Sequence, residues 1–104
     1  MAYRYENGQS ALVNNYDDDH TLTGEDNGAM VVITNASGKT LTVPVDLPVG
    51  FNCLVIQGGA GAITITGGAT VNNVDSFTDT TGEGATAALM SYAPDVFSLA
   101  GQLA

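Results

Sequence analysis

The sequence predicts an all-β fold, a small antiparallel β-sandwich or barrel with an extended N-terminal arm. Three observations carry that expectation. Short runs of aliphatic residues alternate with threonine through most of the chain. Glycine-rich turn clusters separate them at intervals of about 8–12 residues, the spacing of sandwiches and barrels. Only residues 1–20 lack this rhythm, and they divide the chain into an arm (1–20) and a β domain (21–104).

The arm holds three of the four tyrosines, the only arginine and the only histidine, with polar residues interrupting the apolar ones. Two readings stand: a disordered terminus, or an arm ordered against a neighbour. Tyr3, Tyr5, Leu12, Val13 and Tyr16 favour the second, because disordered tails are poor in aromatics. These five are the candidate partner-binding residues.

Residues 23–27 offer one capped helical turn, with Thr23 and Asp26 as the capping pair. Residues 30–34 form an apolar strand suited to burial on both faces, and 35–38 a turn. Residues 40–44 alternate, with Leu41 and Val43 on one face. Pro44 has no N–H to give a ladder, so it ends that strand or lies on an edge. In 51–57, Phe51, Cys53 and Val55 share one face and Leu54 and Ile56 the other, predicting a central strand covered on both sides. Residues 58–61, three glycines and an alanine, are expected to close a hairpin. Strands follow at 62–66 and, more weakly, 70–74. Residues 84–92 have helical propensity in Ala87, Ala88, Leu89 and Met90. A strand is still preferred there, because Ala93, Pro94 and Asp95 turn the chain into a last strand with Phe97 and Leu99 on one face.

The charge narrows the function. Eleven carboxylates against Arg4 and Lys39 give a net charge of −9. Nucleic-acid binding draws on lysine and arginine to neutralise phosphates, so DNA, RNA and anionic lipid are not expected partners. No run of about 18 apolar residues is present to span a membrane, and the N-terminus lacks the basic-then-apolar order of a signal peptide. Cys53 is the only cysteine, which rules out an internal disulfide and suits a reducing cytoplasm.

Catalytic readings are weak. Any nucleophilic triad would have to pass through His20, the only histidine, while Cys53 lies in an apolar strand and reads as a buried hydrophobe. Asp17, Asp18, Asp19 and His20 could bind a cation shared between subunits, or form a solvated acidic run. The second is favoured, since consecutive residues of an extended chain point to alternate sides. The 58–61 glycines lack the Lys-Ser/Thr of a phosphate loop. Asp75, Asp79 and Glu83 could supply a glycosidase-like pair, yet they belong to a polar loop and the chain has no tryptophan. For sugar stacking only Tyr92, Phe77 and Phe97 remain. The chain is therefore expected not to be an enzyme, and no cofactor is expected.

The order of Thr21-Leu22-Thr23, Asp26-Asn27-Gly28, Leu47-Pro48-Val49-Gly50-Phe51, Val55-Ile56-Gln57, Gly59-Ala60-Gly61 and Phe97 to Gly101 resembles a β-module of tailed-bacteriophage virion proteins. That module occurs in head-decoration proteins and in tail fibres. The resemblance covers roughly residues 21–104. It implies a virion component, often a homotrimer, made in the host cytoplasm and located on the capsid surface. Its partner would be the major capsid protein, and its task to stabilise contacts between capsid subunits. The alternative is a tail-fibre or receptor-binding module recognising a host surface glycan or protein. The absence of long repeats or a coiled-coil shaft favours decoration.

Overall fold

The computed structural model describes residues 4–5, 8–9 and 12–104. Among them the protein is all-β. A short ladder pairs β1 (Arg4–Tyr5) with β2 (Gly8–Gln9). The body comprises β3 (Leu12–Tyr16), β4 (His20–Thr21), β5 (Ala29–Ile33), β6 (Lys39–Thr42), β7 (Asn52–Gln57), β8 (Ile63–Thr66), β9 (Thr70–Asn72), β10 (Thr86–Ala93) and β11 (Val96–Gly101). The one helical element among the described residues is the 3-10 turn Gly24–Asp26. As expected, Asp26 Oδ2 accepts from the Thr23 N–H at 3.0 Å, and Thr23 Oγ1 from the Glu25 N–H.

The pairing is mixed where the sequence suggested antiparallel strands. The large sheet runs β3-β5-β7-β10-β11-β9 and the small one β4-β6-β8. β3, β5 and β7 are parallel, and so are β4, β6 and β8. The chain thus winds through three stacked coils, each giving one strand to either sheet: β3–β4, β5–β6 and β7–β8. Within the large sheet β10 alone, paired with β7 on one side and β11 on the other, is antiparallel to both neighbours; β9 returns parallel to β11.

The coil geometry corrects the reading of residues 58–61. They do not close a hairpin, because β7 and β8 belong to different sheets. They form a corner stacked on the corner of the coil before. The Gly61 N–H donates to Asn35 O at 2.8 Å, and Asn35 Nδ2 donates to Asp17 O at 2.8 Å, so three successive corners are tied together. A Cβ on Gly59 would stand 2.7 Å from Asn35 O, and one on Gly61 would run into Ser37 O. Glycine is required here for close backbone approach rather than for a positive φ, which neither residue has.

The core lies between the sheets. Val31 and Ile33 of β5, Cys53 and Val55 of β7, Leu89 of β10 and Phe97 and Leu99 of β11 point inward, against Leu41, Ile63 and Ile65 of the small sheet. Phe51 meets Phe97 edge to face, with ring centroids 6.1 Å apart. The small sheet has only three strands, so it cannot cover β10 and β11. The loop after β9 and the C-terminus do so instead, through bridges Thr64–Asp79 and Thr80–Leu103. Buried Thr80 fastens this cover: its hydroxyl donates to Gln57 Oε1 at 2.6 Å and accepts from the Ile63 N–H at 2.8 Å.

Candidate functional site: the outer face of the large sheet

The five arm residues do not form one surface. Tyr3 lies outside the described residues, and Tyr5 pairs with Gly8 in the β1–β2 ladder. Leu12, Val13 and Tyr16 belong to β3, the edge strand of the large sheet, in register with Ala29, Met30 and Ile33. The body therefore starts at Leu12, inside the stretch expected to be an arm. A strand's side chains alternate between faces, so Leu12, Asn14 and Tyr16 turn inward, while Val13 and Asn15 turn out.

The inward set is used within the chain. Asp26, fully buried, is a hub. Its Oδ1 accepts from Tyr16 Oη at 2.8 Å and Asn14 Nδ2 at 2.9 Å, and its Oδ2 lies 2.8 Å from His20 Nε2. The Tyr16 and His20 rings stack with centroids 3.6 Å apart. Burial works against ionisation of Asp26. The hydrogen bonds from His20, the Thr23 N–H, Asn14 and Tyr16 outweigh it and hold the carboxyl below its ordinary value. The same burial, with the bond to Asp26 and its charge, pushes the Tyr16 hydroxyl up to about 12. A satisfied, ionised carboxylate of this kind locks the first coil to the 3-10 turn. Tyr16 is thus a structural residue of its own chain rather than an arm contact.

The acidic run 17–19 is also dispersed. Asp18 Oδ1 pairs with Lys39 Nζ at 3.2 Å, Asp19 Oδ1 accepts from the Thr40 N–H at 2.8 Å, and His20 serves Asp26. Among the described residues no group of three or more His, Cys, Asp or Glu side chains could hold a metal ion. Cys53 is buried, and desolvation, followed by the Asp26 charge, pushes its thiol up to about 12, so it stays protonated. Asp75 and Glu83 stand exposed in the loop that covers the core, and Asp79 accepts from the Thr78 hydroxyl.

The outer face of the large sheet is different. The register aligns Val13, Met30, Leu54, Ala88 and Ala100 in one row across five strands. Asn15, Val32, Ile56 and Thr86 form the row on one side, and Asn52, Met90, Ser98 and Asn72 the row on the other. No charged side chain occurs in β3, β5, β7, β9, β10 or β11. Every described carboxylate stands in a loop or turn. Leu54 is 39% exposed and Met90 45%. A shallow depression of about 240 Å³ lies over Met30, Leu54, Ala88 and Met90. The sequence pointed to Leu54 and Ile56 as covered on both sides; among the described residues no layer packs on their side, because the second sheet lies on the other face only.

No protein-family model matches the sequence, and no curated protein or solved structure matches it either.

Proposed function

We propose that the protein is a docking module of a virion, a capsid decoration protein that attaches through the outer face of its large sheet. One observation carries this reading. Parallel strands are normally covered on both faces, and they read as continuous apolar runs for that reason. β5 and β7 carry such runs (Met30 to Ile33, Cys53 to Ile56), yet among the described residues a second layer covers only their inner face. The missing layer is best supplied by a partner. The face suits that role: its central row is apolar and its strands carry no charged side chain, on a chain of net charge −9, so docking there desolvates no ion.

The magnitude fits repeated, weak attachment. Six strands at about 4.8 Å spacing and four to five residues of about 3.3 Å each give roughly 400 Å² of sheet plane. A standard stable interface takes about 800 Å² from each partner. One copy alone binds weakly, and a homotrimer presenting three such faces gains by avidity. A trimer that binds the assembled lattice of major capsid protein, and not its free subunits, stabilises the lattice by linkage. The acidic loops at the rim keep copies soluble and leave the face as their least repulsive surface.

The test is quantitative gel densitometry of virions assembled with the wild-type chain or with Leu54→Asp. Hundreds of wild-type copies per particle, lost in a variant that still folds, are expected. A handful of copies would assign the chain to the tail, and unchanged occupancy of Leu54→Asp would reject this face as the attachment surface.

A further inference from the structure

At the edge of the large sheet opposite β3, a cleft of about 240 Å³ is lined by Val71, Asn72, Asn73, Ser76, Phe77 and Thr78. Its lining holds no charged side chain. Phe77 is 41% exposed on it. Its rim continues to Tyr92, 60% exposed, whose hydroxyl accepts from Asn72 Nδ2 at 3.0 Å. β11 lies between β10 and β9 in the sheet, so Tyr92 reaches past that strand to Asn72. Asn72, which lines the cleft beside Phe77's loop, thus joins it to the exposed Tyr92 hydroxyl.

The cleft is built before any ligand arrives. Asn73 Oδ1 accepts from the N–H groups of Asp75 and Phe77 at 2.9 and 3.0 Å, and Asn73 Nδ2 donates to Leu99 O at 2.9 Å. The Ser76 N–H closes the same turn on Asn73 O. These bonds fix the loop to β11 and hold Phe77 at the cleft, so little ordering remains to be done on binding.

We propose that this cleft binds a monosaccharide unit of a glycan. Each part of a pyranose finds its chemical counterpart. The apolar C–H face of the ring suits the exposed ring of Phe77 in the lining, with the exposed Tyr92 ring next to Asn72 beyond it. Hydroxyls both donate and accept. Tyr92 O–H, already accepting from Asn72, is left to donate. Asn72 Oδ1, engaged by no described residue, is left to accept. An uncharged lining disfavours phosphate, carboxylate and metal ligands alike. The volume suits a single ring, below the roughly 300–1,000 Å³ of drug-sized pockets. The cleft meets the attachment face at Asn72, but the rest of its lining belongs to β9 and the loop after it, and sugar binding is read on the isolated chain without capsid.

The experiment is a titration of the isotope-labelled full chain, followed by ¹H–¹⁵N correlation spectra, with the methyl glycosides of glucose, galactose, mannose and N-acetylglucosamine in turn. Saturable shifts confined to Asn72, Asn73, Phe77 and Tyr92, from at least one sugar, are expected. Tyr92→Ala and Phe77→Ala should each weaken that binding by about threefold to tenfold, the size of an aromatic contact. The rest of their spectra should match wild type. Asn72→Asp, which replaces the amide donor with a charge, should abolish it. No saturable shift with any of the four sugars, shifts located elsewhere, or binding unchanged in both aromatic variants would overturn the proposal.

Discussion

The two faces of the large sheet are built from the same strands and obey opposite rules. The inner face carries Val31, Ile33, Val55, Leu89, Phe97 and Leu99, none more than 2% exposed, sealed by the small sheet, a long loop and the C-terminus. The outer face carries Met30, Leu54, Ala88 and Met90, similar in hydropathy, with no second layer of the described residues above them. Hydropathy alone does not distinguish the faces. What distinguishes them is which side the second layer occupies.

The largest break in this comparison should come from Phe97→Ala. It removes the partner of Phe51 at the centre of the core and should cost about 3–5 kcal/mol, read as a fall in the chemical-denaturation midpoint. Asp26→Asn comes next. It keeps the shape of the hub but replaces an ionised acceptor of four hydrogen bonds with an amide that can satisfy fewer donors. A loss of about 2 kcal/mol is expected.

The hub also sets a pH dependence. The Asp26 pKa in the folded chain lies below its ordinary value of 3.8, so the unfolded chain binds the proton more readily. Its contribution is fully present above pH 3.8 and drains as pH falls through that value toward the folded pKa. Denaturation midpoints of wild type should drop through this acid range, and those of Asp26→Asn should drop less. Equal slopes would remove Asp26 from the account. Leu54→Asp is the smallest effect on folding. On an outer face that no described layer covers, it should shift stability by no more than about 0.5 kcal/mol. A loss as large as that of Phe97→Ala would show that the two faces do not differ.

Much of the body was legible in the residues. Leu41 and Val43, or Phe97 and Leu99, alternate with polar neighbours and are buried as that period requires. The ambiguous segment around Ala87, Ala88, Leu89 and Met90 is the strand β10, and Thr23 with Asp26 caps a single turn. The candidate site was less legible. Val13 lies on the outer face, while Leu12 and Tyr16 point inward and Tyr16 serves Asp26. Met30 and Leu54 were visible as members of apolar runs. Such a run says that two faces want cover, without saying whether the chain itself provides it.

By itself, then, the sequence determined that this protein is β throughout, where its turns fall and which positions alternate, because those depend on propensity and local period. Only the tertiary structure decided that the strands wind in parallel coils, that Gly59 and Gly61 exist to let corners stack, and that His20, Tyr16 and Asn14 converge on Asp26. Those features depend on which distant segments lie side by side. A period of two gives a strand its faces and no information about its neighbour.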